Sequence, residues 1–236
     1  MNRILKTTRL QLNKPDNTFL VPLYILGLVL VVSAIIVLAI QRAGGDPSSE
    51  AYVEGARMNM GAIWSLPGFI VYLGVQAVAT TFPYALALGA TRRAFVAGTM
   101  ITNLIQSLYI ASLMLVLLGL ELATNHWFIG IYALDVYALG AGNPVQLFLT
   151  VCIGIFLCLS IGGVFGAVWV RFGQRGPLLL GIALGLVLAV TFLALVPYLG
   201  DIVAGITGVS LAFAAVAVAV IAVLGTWACM RRTTVR

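Results

Sequence analysis

The residues with the clearest chemical potential are two adjacent arginines, Arg92 and Arg93, in a short polar interruption between two long apolar stretches. Gly89 is suited to end one helix and Thr91 to begin the next, because glycine is favoured at C-caps and threonine at N-caps. An arginine at the centre of a bilayer costs about 2.5–3.5 kcal/mol on insertion scales, so this turn must lie at a membrane surface. Guanidinium groups bind carboxylates through parallel hydrogen bonds, and Phe95 would add an apolar anchor beside them. We expect this turn to contact a partner protein.

A second set of potentially reactive residues comprises His126, the only histidine, with Glu121 and Asp135 nearby in sequence. One imidazole with scattered carboxylates is more often structural than catalytic or metal-binding, so we expect neither a metal site nor a catalytic residue here. The aromatic residues between positions 121 and 143 suggest a segment that lies in the membrane interface. The cysteines lie in apolar runs, fit neither zinc spacing nor a disulfide framework, and are expected to be buried apolar side chains: Cys152, Cys158 and Cys229.

The sequence carries no motif for chemistry of its own. There is no Gly-x-x-x-x-Gly-Lys-Ser/Thr loop for nucleotide phosphates, and the only lysines are Lys6 and Lys14. There is no Gly-x-Ser-x-Gly nucleophile elbow, and no carboxylate inside an apolar stretch offers a proton relay. We therefore expect a protein that is not an enzyme and holds no cofactor.

A few polar residues do lie inside the apolar stretches, chiefly Gln76, Asn103 and Gln106. Asn103 and Gln106 are three residues apart and share one helix face. They either form hydrogen bonds between helices of a bundle or line a substrate path or subunit interface, and both interpretations stay open. Two glycine pairs at a spacing of four favour close helix contacts: Gly162 with Gly166, and Gly181 with Gly185.

Composition identifies the class of protein that positions these residues. The chain has 236 residues, of which 62% are hydrophobic and 8% charged, whereas soluble domains carry roughly 25% charged residues. This predicts an all-α, polytopic membrane protein with a single six-helix transmembrane domain over residues 1–236. Six spans are predicted near residues 19–40, 62–88, 94–120, 144–170, 177–199 and 202–230, with kinks at Pro67 and Pro83.

Residues 1–17 precede the first span and are basic and polar. Ile4, Leu5 and Leu12 fall in one helical stripe, which predicts an amphipathic interface helix on the membrane surface, broken near Pro15. A disordered basic tail that only sets orientation is an equally open alternative. The segment between residues 41 and 61 is predicted to be a loop.

The charges predict the orientation of the spans. Of the thirteen basic residues, only Arg42 and Arg57 fall on the side opposite to the termini. The other eleven share the side of the termini: Arg3, Lys6, Arg9, Lys14, Arg92, Arg93, Arg171, Arg175, Arg231, Arg232 and Arg236. By the positive-inside rule both termini are cytoplasmic. This segregation also leaves open that Arg92 and Arg93 serve only to set orientation. Because the net charge of +6 is spread over the ends of apolar segments, a nucleic-acid partner is not expected.

The pattern resembles the membrane subunit of a six-span ABC exporter of the type-two class and small permeases of actinobacterial type. The resemblance lies in the basic N-terminal segment, the stretch 74–95, the His126-Trp-Phe-Ile-Gly130 loop and the stretch 162–173. It implies that the N-terminal interface helix and a coupling turn between spans two and three contact a separate ATPase. Gly89, Thr91, Arg92, Arg93 and Phe95 match that coupling turn. The connection at residues 199–202 is much shorter than the re-entrant hairpin of many relatives.

The resemblance implies a transport function. The chain would be the permease subunit of an ABC exporter in the plasma (inner) membrane, with ATP and Mg²⁺ bound by the partner ATPase. One chain has too few spans to enclose a wide path, so a second permease subunit, identical or homologous, is expected. The alternative is a six-span substrate-binding or scaffold subunit of another membrane complex, without ATPase coupling.

Overall fold

The computed structural model describes residues 3–13 and 16–231, with only the backbone described for Asp201 and Val203. Four residues used above for orientation or as a helix break lie outside the described residues: Lys14, Pro15, Arg232 and Arg236. All regular secondary structure in the described part is helical, and it contains no strand. The all-α prediction is confirmed.

The described residues form eleven α-helices, numbered here in chain order. They are α1 (Arg3–Leu12), α2 (Val21–Arg42), α3 (Glu50–Arg57), α4 (Gly61–Ser65), α5 (Pro67–Ala79), α6 (Thr81–Ala87), α7 (Arg92–Ala123), α8 (Pro144–Phe172), α9 (Arg175–Leu195), α10 (Leu199–Gly205) and α11 (Gly208–Arg231). A π-helical turn, Asp16–Leu20, leads into α2, and short 3₁₀ turns cover Tyr137–Leu139 and Val196–Tyr198.

Six helical segments of the described chain are long and apolar enough to cross a bilayer, as the sequence predicted. They are Asp16–Arg42, Glu50–Ala87, Arg92–Ala123, Pro144–Phe172, Arg175–Tyr198 and Gly208–Arg231. In a bilayer every backbone N–H and C=O must be satisfied within the segment, which α-helices achieve. The chain is a multi-pass membrane protein.

The second of these segments is interrupted where the prolines predict it. A new helix, α5, begins at Pro67. The next helix, α6, begins at Thr81, two residues before Pro83. Proline has no N–H, and its ring clashes with the carbonyl four residues earlier, so it bends or ends a helix. The loop expected between residues 41 and 61 is partly wrong, because α3 lies within it. The Ser49 side chain caps α3 by accepting a hydrogen bond from the Tyr52 N–H at 3.4 Å.

The last helix begins at Gly208 rather than near residue 202, because α10 and a two-residue break precede it. Thr207 and Ser210 form a reciprocal cap there. The Thr207 N–H donates to Ser210 Oγ at 2.9 Å, and the Ser210 N–H donates to Thr207 Oγ1 at 3.2 Å. These bonds satisfy N–H groups that a helix start leaves without a partner.

The chain divides into two compact units. The first comprises Met1–Gln11, Val71–Asn103 and Leu157–Arg236, and the second comprises Leu12–Ile70 and Leu104–Phe156. The core of the first unit is a cluster of buried apolar side chains: Val78, Phe82, Ala85, Phe95, Val96, Ala167 and Met230.

Glycines bring α5 and α8 into close contact within the first unit. A Cβ added to Gly162 would lie 2.9 Å from the Cα of Gly74 and would collide with the Val71 carbonyl oxygen. A Cβ on Gly166 would lie 2.7 Å from the Val75 carbonyl oxygen. The predicted close contact at Gly162 and Gly166 is therefore confirmed. Gly181 and Gly185 on α9 have no atom within 4 Å of an added Cβ, so they make no such contact within this chain.

Candidate functional site

The basic turn between α6 and α7 has the caps that its sequence predicts. Gly89 adopts the left-handed region with φ of 80°, which glycine tolerates without steric cost. Its N–H donates to the Leu86 carbonyl at 2.9 Å. Thr91 Oγ1 accepts a hydrogen bond from the Ala94 N–H at 3.2 Å. The chain therefore reverses direction within four residues, and Arg92 is the first residue of α7.

The two arginines of this turn have different environments. The Nη1 of Arg92 donates to the backbone carbonyl of Arg231, at the end of α11, at 2.6 Å. Arg93 is exposed, and no carboxylate within the described ranges forms an ion pair with it. Arg231 itself lies over the ring of Trp227, with its guanidinium carbon 5.3 Å from the centroid. A cavity of about 150 Å³ is lined by Arg92, Arg93, Val96, Trp227, Met230 and Arg231.

The expectation that Phe95 is an exposed anchor is wrong. Phe95 is fully buried in the core of the first unit and packs edge-to-face on Phe82, with ring centroids 5.1 Å apart. It lies in the first turn of α7, on the face that packs against the apolar cluster of the first unit. The exposed apolar side chain of the turn is instead Leu88.

Helix α1 is bound to the first turns of α7 by hydrogen bonds. Thr8 Oγ1 donates to the Gly98 carbonyl at 3.3 Å. Gln11 Nε2 donates to Thr99 Oγ1 at 2.8 Å and to the Ala77 carbonyl at 3.1 Å. Gly98 permits this approach, since an added Cβ would lie 2.8 Å from the Cβ of Thr7.

The buried face of α1 differs from the predicted one. Its buried residues are Thr7 and Thr8, whereas Leu5 of the predicted apolar stripe is half exposed. Leu10 packs partly against the core of the first unit. The predicted helix is present; its threonines are buried against the rest of the unit, whereas its apolar side chains are partly buried or, at Leu5, exposed. Leu5 is left free to meet lipid or a partner.

The polar residues predicted for a path or interface differ in their burial and hydrogen bonds. Gln76 Nε2 donates to the hydroxyl of Tyr72 on the same helix at 3.2 Å, on an exposed face. Asn103 in the first unit and Gln106 in the second are each buried. Asn103 Oδ1 has no hydrogen-bond partner among the described residues.

The second unit contains an ionic cluster that the sequence reasoning did not identify. Asp135 is 1% exposed, and its Oδ2 lies 2.9 Å from Arg57 Nη2 and 3.0 Å from His126 Nε2. The His126 ring stacks on Tyr132, with centroids 4.0 Å apart, and the Arg57 guanidinium carbon lies 5.7 Å from the centroid of the same tyrosine. Burial raises the pKa of Tyr132 above its usual value. The cluster joins α3 to the segment between α7 and α8.

Glu121 supports this segment from the last turn of α7. Its fully buried carboxylate accepts the N–H groups of Ala133 at 3.1 Å, Leu134 at 2.9 Å and Asp135 at 3.2 Å. Three backbone donors on one carboxylate form an anion-binding nest. Glu121 therefore fixes the backbone that positions Asp135.

The backbone between these carboxylates is strained. Asn125, His126, Trp127 and Phe128 all have positive φ, between 50° and 63°, and this conformation costs roughly 1–2 kcal/mol per residue. Hydrogen bonds hold the strained segment from α2 and α3. Gln41 Nε2 donates to the Ile129 carbonyl at 3.1 Å, and the Tyr52 hydroxyl donates to the Gly130 carbonyl at 2.9 Å.

A second cavity, of about 370 Å³, lies within the second unit beside this cluster. Its walls come from α2, α3 and the segment after His126: Ser33, Ile36, Val37, Ile40, Ala51, Tyr52, Gly55, Ala56, Asn59, Ile131 and Tyr132. The walls are mostly apolar, with the polar groups of Ser33, Tyr52, Asn59 and Tyr132 among them. A size of roughly 300–1,000 Å³ with few polar groups is typical of small-molecule sites.

Sequence reasoning placed His126, Glu121 and Asp135 in one segment but missed Arg57 and the cavity. One signal was available, because Arg57 is one of the two basic residues on the side opposite to the termini. Among the described residues, no group of three potential metal ligands occurs. No protein-family model, curated protein or solved structure matches this chain.

Proposed function

We propose that this chain is the permease subunit of an ABC exporter, driven by a separate ATP-binding subunit. The observation that carries the proposal is the attachment of α1 to the first turns of α7, immediately behind the basic turn. Thr8 and Gln11 each donate one hydrogen bond to α7, and Gln11 donates another to the Ala77 carbonyl at the end of α5. An interface helix and a coupling turn, which the resemblance implies as the two contacts of an ATPase, thus belong to one compact unit.

The surface offered to the ATPase is the exposed part of the turn. Arg93, which has no ion pair among the described residues, supplies a guanidinium for a carboxylate on the partner. The exposed Leu88 side chain and the exposed backbone of Gly89 complete the surface. Arg92 has a transmitting role, because its bond to the Arg231 carbonyl attaches the start of α7 to the end of α11. A movement of the turn, caused by closure of an ATP-bound dimer, is passed to α11 through this bond.

A second permease subunit completes the transporter. In its most apolar stretch α9 has no buried residue within the described part of this chain, and its Gly181 and Gly185 lie open. Small residues of this spacing allow helices to approach closely in a bilayer. The assembly is placed in the plasma membrane, with both termini cytoplasmic, and its ATP and Mg²⁺ are bound by the partner.

The cavity in the second unit favours one alternative, a substrate-binding subunit without ATPase coupling. The cavity exists within one chain and needs no partner to form. In that case the ionic cluster of Arg57, His126 and Asp135 would fix the binding site, and the basic turn would only set orientation.

The deciding experiment is purification of the tagged chain from its native membrane into nanodiscs, with identification of any ATP-binding protein that accompanies it. The proposal expects a stable complex with two permease chains and Mg²⁺-dependent ATP hydrolysis. Mass photometry gives the stoichiometry, and hydrolysis with and without Mg²⁺ gives the activity. A complex with one permease chain would refute the dimer. A substrate-binding chain that joins no ATPase would favour the alternative.

A further inference from the structure

The cavity of about 150 Å³ in the first unit is lined by three arginines and three apolar residues, Val96, Trp227 and Met230. Arg92 and Arg93 begin α7, and Arg231 ends α11. Because these are ends of membrane-spanning helices, the cavity lies at the boundary between bilayer and water. We propose that this cavity binds a phosphate group, supplied either by the head group of an anionic phospholipid or by free phosphate.

No carboxylate among the described residues forms an ion pair with the arginines of this cavity. The two ion pairs within the described part of the chain both belong to Asp135, and neither involves these arginines. Three guanidinium groups on one small cavity repel one another unless an anion lies between them. A guanidinium carries five N–H donors, and Arg92 uses one of them on the Arg231 carbonyl. Most donors on the cavity wall are therefore available to an acceptor.

Two interactions hold the arginines in place before a ligand arrives. Arg92 is positioned by its 2.6 Å hydrogen bond to the Arg231 carbonyl. That bond also neutralises the carbonyl end of α11, which would otherwise repel an anion. Arg231 is positioned over the Trp227 ring. The start of α7 adds the partial positive charge of a helix N-terminus. Pre-positioned donors bind an anion at a lower entropic cost.

The size of the cavity selects the ligand. About 150 Å³ is well below the roughly 300–1,000 Å³ of sites for drug-sized molecules. It suits a single phosphate group, while the glycerol and acyl chains of a lipid would extend past Val96, Trp227 and Met230. Tryptophan is favoured at the head-group level of a bilayer, and guanidinium forks match phosphate geometry.

The test compares the purified permease chain with two paired sets of variants in detergent. Arg93→Gln and Arg231→Gln each remove one guanidinium from the cavity. Arg171→Gln and Arg175→Gln are matched controls from the other basic turn, where the guanidinium of Arg171 lies over Phe172 instead. Binding of phosphatidylglycerol, of phosphatidylcholine and of inorganic phosphate is measured by native mass spectrometry and by thermal unfolding.

The expected result is tighter binding of phosphatidylglycerol than of phosphatidylcholine, weakened about tenfold by each cavity variant and not by the controls. A tenfold loss is what removal of one charge-assisted hydrogen bond produces. Equal binding of inorganic phosphate would identify free phosphate as the source. Arg93→Lys, which keeps the charge, should recover part of the affinity. Equal binding of both lipids, or equal losses in controls and cavity variants, would overturn the proposal. No ATPase is present, so the outcome is independent of the transport function.

Discussion

The Arg57 guanidinium lies 2.9 Å from the carboxylate of Asp135, although 78 positions separate the two residues in the chain. The same carboxylate oxygen also lies 3.0 Å from His126. One buried acid thus joins helix α3 to the strained segment at residues 125–128. The ionic groups fix the wall of the larger cavity, because Tyr132 lies against both His126 and Arg57.

Replacing Asp135 with asparagine should destabilise the protein. The change leaves Arg57 without its counter-ion and removes the carboxylate that His126 contacts. Removing one partner of a fully buried pair costs about 3–5 kcal/mol. Arg57 is 32% exposed, and solvent screening reduces the effect, so we expect about 1–3 kcal/mol. That corresponds to a fall in Tm of several degrees, measured by thermal unfolding in detergent. The control is Glu54→Gln, which lies on the exposed face of α3, the helix that carries Arg57. It should change Tm little. Equal Tm values for the two variants would contradict a structural role of Asp135.

Gly162→Ala should destabilise the protein, whereas Gly181→Ala should not. The added methyl group at 162 meets backbone atoms of Val71 and Gly74 that cannot move aside, and overpacking of this kind costs about 1–3 kcal/mol. The added methyl group at 181 meets open space and replaces a poor helix former by the best one. Thermal unfolding of the two purified variants in detergent measures the difference. A Gly162→Ala variant as stable as the parent would mean that α5 and α8 are not closely packed.

A cysteine at position 48 should react with an impermeant thiol reagent in intact cells, and one at position 174 should not. Ser48 and Gln174 are both exposed, so accessibility differs only through the side of the membrane. The three native cysteines, which are partly buried, are first replaced by alanine. Reaction of both cysteines after permeabilisation is the control. Labelling of position 174 from outside would refute the orientation derived from the basic residues.

Replacing Arg92 and Arg93 together by lysine should preserve insertion but weaken ATPase association or substrate-stimulated hydrolysis. Lysine keeps the charge that sets orientation but lacks the planar fork that pairs with carboxylates. The bond from Arg92 to the Arg231 carbonyl is also lost or lengthened. The matched control is the Arg171→Lys, Arg175→Lys pair in the other basic turn. If the double lysine variant and an Arg92→Ala, Arg93→Ala variant both associate and transport normally, the turn only sets orientation.

The membrane class, the six spanning helices and the caps of the basic turn could be predicted from the amino-acid sequence alone. These depend on local properties: hydropathy over a span, backbone bonds that must close within the segment, and the φ that only glycine adopts easily at position 89. The kinks near Pro67 and Pro83 are local for the same reason.

The buried face of each helix and the contacts between residues distant in sequence could not be predicted, because they depend on tertiary packing. Phe95 lies only two positions after the exposed Arg93. It is nevertheless buried, because its ring packs against Phe82. Gly162 and Gly181 begin identical spacings, but only the first meets another helix. Arg57, His126 and Asp135 converge because α3 folds back onto the segment after α7. No local pattern encodes such a meeting, since the rotation of a helix and its partners are set by packing over the whole chain.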